Sequence, residues 1–200
     1  ELNVEIGKTA TPLDSRRASV RGMETAIGNL FADALLASTG ADVAIMNGGG
    51  IRANKEYPAG ATLTRRDILS ELPFGNSSVM VELSGADLKA ALENGFSQVT
   101  EGGGRFPQLA GAKVVVDKAA PAGSRIVSLE VGGAPLDPAK KYKVAANEFL
   151  LSGGDGYTAL GKGKVLIGKV DGKLLANEVM SYIRKAGTVE PKVEGRIVYK

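Results

Sequence analysis

The stretch 24-ETAIGNLFADALLASTGADVAIMNGGGIR-52 decides the fold, because it holds a helix, a stop signal and a buried strand in unbroken order. Apolar side chains recur at helical spacing on one face of residues 24–39, namely at Ile27, Leu30, Phe31, Ala34 and Leu35. Gly40 is a stop signal for that helix. The run 42–46, DVAIM, then has the length and apolar content of a short buried strand.

The three glycines after this strand, Gly48 to Gly50, lie between Asn47 and Arg52. A strand that ends in glycines is typical of an ordinary tight turn, which is one interpretation. The other is a binding loop, since bare backbone lets a ligand approach closely while an amide and a guanidinium face an anion. The spacing matches neither the GxxxxGK[ST] phosphate loop nor GxGxxG.

Patterns in the rest of the chain predict further helices and strands. The predicted helices cover 65–72, 86–96 and 174–187, and the predicted strands cover 77–83, 112–117, 125–131, 142–147 and 195–200. Helices dominate the first half and the end, with strands between them, so we expect an α+β domain of packed sheet and helices rather than a doubly wound fold. No repeat or linker divides residues 1–200, which predicts a single domain.

Composition excludes several classes of function. The 200 residues contain no cysteine and no histidine, so there is no disulfide, no thiolate metal site and no histidine base. A carboxylate site for Mg²⁺ or Ca²⁺ stays open. The net charge of +3, with no basic run, argues against a nucleic-acid partner. We expect no membrane span, and the opening residues 1–7 resemble a cut from a longer chain.

Two clusters hold side chains suited to an anion or an aromatic ring. Arg16, Arg17 and Arg21 precede the first predicted helix. They form either a solvated face or an anion clamp, since the planar guanidinium matches phosphate oxygens and stays charged. Phe74 lies in the turn 72-LPFGN-76, where a phenylalanine is either a plug of the core or a ring face for an aromatic ligand.

A last cluster is 147-NEFLLSGGDGY-157, which places Phe149 six residues before Asp155. Asp155 lies between glycines and is either a turn residue that accepts from local amides or an acceptor for a ligand hydroxyl. None of the four clusters is specific alone. Together they supply arginines for phosphate, two rings for a base and a carboxylate for a sugar, which are the parts of a nucleotide site.

Five strings, in this order, resemble the C-terminal domain of the secreted 5′-nucleotidases: ETAIGNLFADA, NGGGIR, LPFGN, FPQLAG and NEFLLSGGDGY. The resemblance runs from about Arg16 to the closing strand. It implies that the full-length protein has an N-terminal metallophosphoesterase domain with two divalent metal ions and the catalytic groups. No cofactor or metal ion is then expected in this domain, and the location is expected to be periplasmic, cell-surface or secreted.

The resemblance implies substrate-binding roles for eight residues and a catalytic role for none. They are grouped by the part of the nucleotide that they face, with Arg17, Arg21, Asn47 and Arg52 for the phosphate, Phe74, Asn76 and Phe149 for the base, and Asp155 for the ribose. Alone, the chain is expected to bind nucleotide and hydrolyse nothing. A 2′,3′-cyclic phosphodiesterase/3′-nucleotidase, a UDP-sugar hydrolase and a non-catalytic nucleotide-binding module stay open as alternatives.

Overall fold

A computed structural model describes all residues from Glu1 to Lys200. The helices are α1 (Arg17–Val20), α2 (Ala26–Thr39), α3 (Arg65–Glu71), α4 (Gly85–Phe96), α5 (Glu148–Leu151) and α6 (Leu175–Ala186). The strands are β1 (Glu5–Thr9), β2 (Leu13–Asp14), β3 (Val43–Asn47), β4 (Glu56–Tyr57), β5 (Thr62–Thr64), β6 (Ser78–Ser84), β7 (Pro107–Ala110), β8 (Ala112–Val116), β9 (Ile126–Val131), β10 (Ala134–Pro135), β11 (Lys141–Asn147), β12 (Lys164–Ile167), β13 (Thr188–Val189) and β14 (Ile197–Tyr199). Short 3₁₀ turns cover Gly48–Gly50, Gly154–Gly156 and Thr158–Lys162.

The helix and strand predicted for residues 24–46 are both present. The Thr25 hydroxyl caps α2 by accepting a hydrogen bond from the Gly28 amide at 3.0 Å. Gly40 ends the helix in the left-handed region, with φ of 69°, where a residue without Cβ is favoured. The following strand, β3, is buried at all five positions and leads directly into the Gly48–Gly50 turn.

A five-stranded sheet in the order β12-β6-β11-β3-β7 forms the middle layer of the molecule. Alternate residues of β3 face opposite sides, as strand geometry requires. Val43 and Ile45 join a core with α4 and the four-stranded sheet β10-β9-β8-β14. Ala44 and Met46 join a second core with α2, α3 and α6. The predicted α+β architecture is therefore confirmed.

The parallel pair within this sheet positions the site. β3 and β11 run parallel, with Val43 opposite Val144, while the other pairs of the sheet are antiparallel. Their carboxyl ends carry Asn47 and Asn147 to the same edge of the sheet. Ligands of α/β sheets bind beyond the carboxyl ends of parallel strands, where the backbone turns away and leaves a crevice.

Some elements were not predicted. β7 begins at Pro107 and contains Gln108, residues atypical of a strand, yet all four of its positions are buried. β12 is exposed at three of its four positions and forms an edge of the central sheet. The short strands β1, β2, β4 and β5, which precede α3, were not predicted either. No helix combines the length and the apolar composition that crossing a membrane requires.

Candidate functional site

A cleft of about 400 Å³ lies at the edge of the sheet where β3 ends. Seven of the eight predicted residues line it, namely Arg21, Asn47, Arg52, Phe74, Asn76, Phe149 and Asp155. The remaining lining is glycine backbone at Gly49, Gly50 and Gly104. A larger groove of about 700 Å³ between α2 and α6 contains neither an arginine nor a predicted residue. Convergent charged and aromatic groups therefore favour the smaller cleft as the site.

The glycines of the Gly48–Gly50 turn serve backbone packing as well as the cleft. A Cβ on Gly48 would lie 2.1 Å from the carbonyl oxygen of Val20. A Cβ on Gly49 would lie 2.9 Å from the Cα atom of Gly104, whose carbonyl accepts from the Gly49 amide at 2.8 Å. The two interpretations of this motif are thus compatible, because the turn packs tightly on one side and lines the cleft on the other.

The arginines converge from two segments. Arg21 is the residue that ends α1, and Arg52 follows the glycine turn. Burial lowers the pKa of Arg21, and the charges of Arg17 and Arg52 lower it further, while Asp155 opposes them. Guanidinium stays charged despite such shifts. Arg17 is exposed beside the cleft and does not line it, and its backbone amide donates to Asn54 at 2.9 Å.

Arg16 belongs to a separate ion pair on the surface. Its side chain donates to both carboxylate oxygens of Asp14, at 3.0 and 2.9 Å. These bonds lower the pKa of Asp14 to about 2. The same carboxylate accepts from the Ser19 hydroxyl at 2.7 Å, within α1. The solvated interpretation therefore holds for Arg16, whose partner Asp14 also anchors the helix that carries Arg17.

Both predicted aromatic residues are exposed, so neither is a plug of the core. Phe74 is 58% exposed and Phe149 is 45% exposed. The Arg52 guanidinium lies over the Phe74 ring, with Cζ 5.5 Å from its centroid. The Phe149 ring rests against the backbone of Gly154, where an added Cβ would lie 2.4 Å from the ring. Two exposed rings in one cleft are suited to stacking on a planar ligand.

The segments that carry the two rings are joined directly. The Glu148 amide donates to the Ser77 carbonyl at 3.0 Å, and the Ser77 amide donates to the Glu148 carboxylate at 3.1 Å. Asn76 lines the cleft and also a neighbouring cavity of about 320 Å³. Reciprocal bonds of this kind fix the separation of the segments that carry Phe74 and Phe149.

Asp155 has a backbone φ of 54°, a left-handed conformation that is uncommon for a residue other than glycine. Its carboxylate accepts from the Asn47 side-chain amide at 3.0 Å. The Asn94 side chain donates to its carbonyl at 2.9 Å. The hydrogen-bond partner of the carboxylate is thus remote in sequence, unlike that of an ordinary turn aspartate. Asn47 also accepts from Asn147 at 2.9 Å, so both of its polar atoms have protein partners.

Gln108 supports the Arg21 segment and was not predicted. Its side chain is fully buried and donates to the carbonyls of Val20 at 3.0 Å and Met23 at 2.8 Å. Its oxygen accepts from the Thr25 amide at 3.1 Å. One side chain therefore holds the backbone on both sides of Arg21. The string FPQLAG contains this glutamine, but nothing in the string indicates its contacts.

Glu71 supports the Arg52 segment in the same way. It is fully buried, and its carbonyl accepts from the Arg52 amide at 2.9 Å. Its carboxylate accepts from the Ala53 amide at 2.8 Å and from the Tyr57 hydroxyl at 2.9 Å. Burial raises the pKa of Glu71 against the effect of these donors. No group of three or more His, Cys, Asp or Glu residues in the chain is arranged to hold a metal ion.

Comparison with known proteins identifies related chains. Residues 5–162 match the family model described as 5′-nucleotidase, C-terminal domain. A trifunctional nucleotide phosphoesterase of Bacillus subtilis is 38% identical over 98% of the chain, which covers 14% of that protein. The 5′-nucleotidase of Bos taurus is 34% identical over 98% of the chain, which covers 37% of that protein.

Solved structures show the same similarity. The crystal structure of a 5′-nucleotidase precursor from Thermus thermophilus superimposes with a TM-score of 0.91 at 38% identity, over 98% of this chain and 39% of that one. A Haemophilus influenzae NAD nucleotidase shares the fold, with a TM-score of 0.85 at 23% identity over 100% of this chain and 38% of that one. The chain thus spans well under half the length of each of these relatives.

Proposed function

The chain belongs to the 5′-nucleotidase C-terminal domain family, and we propose that it is the nucleotide-binding domain of a metal-dependent 5′-nucleotidase, which hydrolyses nucleotide phosphate esters to nucleoside and phosphate. One observation carries the proposal. Residues from four separate segments meet in a single cleft, with Arg21 and Arg52 beside Phe74, Phe149 and Asp155. Charge, ring faces and a carboxylate together match the three parts of a nucleotide.

Each group has a role that its chemistry supports. Arg21 and Arg52, with Arg17 at the rim, bind the phosphate through charge-assisted hydrogen bonds. Phe74 and Phe149 stack on the base, and Asn76 bonds its edge. Asp155 accepts from the ribose hydroxyls. Because these groups bind and orient the nucleotide, the domain sets specificity.

We assign the hydrolytic step to residues outside this chain. The chain contains no histidine and no cysteine, and its carboxylates form no cluster that fits a metal ion. An N-terminal metallophosphoesterase domain with two divalent ions would supply the nucleophile, and this domain would deliver the phosphate to it. The isolated chain then binds nucleotide without hydrolysing it. A periplasmic, cell-surface or secreted location belongs to the same proposal and is supported by a snake-venom 5′-nucleotidase of Gloydius brevicauda that is 35% identical over 98% of this chain.

A product assay on the full-length protein tests the proposal. AMP, UDP-glucose and 2′,3′-cyclic AMP are supplied in parallel, and the release of nucleoside and phosphate is followed. We expect hydrolysis of AMP and its loss on metal chelation. Exclusive cleavage of the cyclic substrate would instead place the protein among cyclic phosphodiesterases. Hydrolysis of AMP by the isolated chain would contradict the assignment of the hydrolytic step to the N-terminal domain.

A further inference from the structure

Two buried amides connect helix α5, which carries Phe149, to Asp155. Asn147 and Asn47 are each only 2% exposed. Asn147 accepts from the Leu150 amide at 2.9 Å and so caps α5. Its Nδ2 atom donates to Asn47 at 2.9 Å, and the Nδ2 atom of Asn47 donates to Asp155 at 3.0 Å. We refer to Asn147, Asn47 and Asp155 as the amide relay.

The direction of every hydrogen bond in the amide relay is fixed by its two ends. A backbone N–H can only donate, so Asn147 must present its oxygen to Leu150 and its Nδ2 to Asn47. A carboxylate can only accept, so Asn47 must present its Nδ2 to Asp155. No amide can therefore turn over without placing two donors or two acceptors face to face in a buried site.

We propose that Asn147 is a positioning residue for sugar recognition, acting on Asp155 through Asn47; the inference rests on the proposed nucleotide site. Asn147 itself does not line the cleft. The relay occupies the Oδ2 atom of Asp155, while Oδ1 has no hydrogen-bond partner in the protein and the residue lines the cleft. The relay also holds Asp155 in a left-handed backbone conformation, with φ of 54°, which residues other than glycine adopt only at a cost in free energy.

The substitution Asn147→Asp separates the relay from the helix cap. The introduced carboxylate still accepts from the Leu150 amide, since aspartate is as good a cap as asparagine. Ionised, it has no hydrogen to give Asn47, so it competes with Asp155 for the Nδ2 donor of Asn47, and it gains this donor when the Asn47 amide turns over. The Asn47 oxygen then faces the Asp155 carboxylate, and repulsion between the two acceptors moves the carboxylate from its place.

Titration calorimetry of the full-length protein with adenosine and 2′,3′-dideoxyadenosine measures the effect. We expect the unsubstituted protein to prefer adenosine by about tenfold or more, as for hydrogen bonds to a charged acceptor. In N147D the ratio should fall towards one, while the affinity for dideoxyadenosine changes by less than about twofold. Asn177→Asp is the matched control, because Asn177 is exposed in the cavity that Asn147 also lines. This variant should keep the preference.

A second variant tests the polarity of the relay through stability. N147D should lower the melting temperature, and adding Asp155→Asn should restore most of the loss, because the new amide at 155 can donate to the turned Asn47. An unchanged adenosine preference in N147D, or no rescue in N147D/D155N, would overturn the inference. If the unsubstituted protein binds neither nucleoside nor nucleotide, the proposed function itself fails, and that outcome is distinct from both.

Discussion

Replacing Phe149 with alanine should remove one wall of the proposed base clamp and leave the fold intact. Stacking of a base on an aromatic ring contributes about 1–3 kcal/mol, so the affinity for AMP should fall by about 5- to 150-fold. The ring is 45% exposed. Replacing a fully buried phenylalanine with alanine lowers the free energy of unfolding by about 3–5 kcal/mol. Phe149 is only about half buried, so we expect a loss of about 2 kcal/mol. A domain stable by about 5–15 kcal/mol stays folded after this loss.

The decisive assay compares AMP with ribose 5-phosphate, which lacks the base, as ligands of the full-length protein. F149A should weaken the binding of AMP alone, and Phe149→Tyr, which keeps the ring, should bind both ligands normally. Val127→Ala is a control for the loss of an exposed apolar side chain, since Val127 is 54% exposed on β9. An equal loss for both ligands would refute the reasoning, because it would mean that the ring supports the site without touching the base.

Arg52→Ala should lower the affinities for AMP and ribose 5-phosphate by the same factor and leave the affinity for adenosine nearly unchanged, as measured by calorimetric titration; a loss of affinity that depends on the base would contradict a phosphate-binding role for Arg52. Gly154→Ala would place a methyl carbon 2.4 Å from the Phe149 ring and so displace the ring. Calorimetry should then show weaker binding of AMP and unchanged binding of ribose 5-phosphate, whereas an unchanged affinity for AMP would show that the ring has room to move. Asp14→Asn should lower the melting temperature at pH 7, because hydrogen bonds from Arg16 lower the pKa of Asp14 from 3.8 to about 2. A carboxyl whose pKa is lower in the folded than in the unfolded state stabilises the fold at pH values above the unfolded-state pKa, and this stabilisation is lost as the pH falls through the folded-state pKa. The difference in melting temperature between the unsubstituted protein and D14N should therefore vanish between pH 3.8 and about 2. A difference in melting temperature that is constant with pH would exclude the ion pair as its source.

Local signals explain why the α2–β3 unit could be predicted from the sequence. The apolar period of the helix and its stop at Gly40 lie within one short stretch. Each signal acts on backbone within a few residues of itself. The exposed rings Phe74 and Phe149 could be proposed from their motifs, but their meeting in one cleft depends on how the segments pack.

The supports of the site could not be predicted, because they act over long separations in sequence. Gln108 reaches the carbonyl of Val20 from 88 residues away. Asn147 reaches Asn47 from 100 residues away. In a sequence, a buried amide that orients a neighbour is indistinguishable from an exposed one in a loop. Only the fold shows that these side chains have no water to bond and must satisfy one another.

The charges of the cleft give a physical reason for these supports. Burial and the charges of Arg17 and Arg52 all lower the pKa of Arg21, and Asp155 alone opposes them. The cleft therefore holds guanidinium groups against their mutual repulsion. Buried bonds from Gln108 and Glu71 keep the backbone of two of these arginines in place despite that repulsion. An anion in the cleft would relieve this repulsion, so the arrangement would favour the phosphate binding that we propose. Because the charge of Arg21 is partly buried, this binding should be less screened by salt than binding to a surface patch.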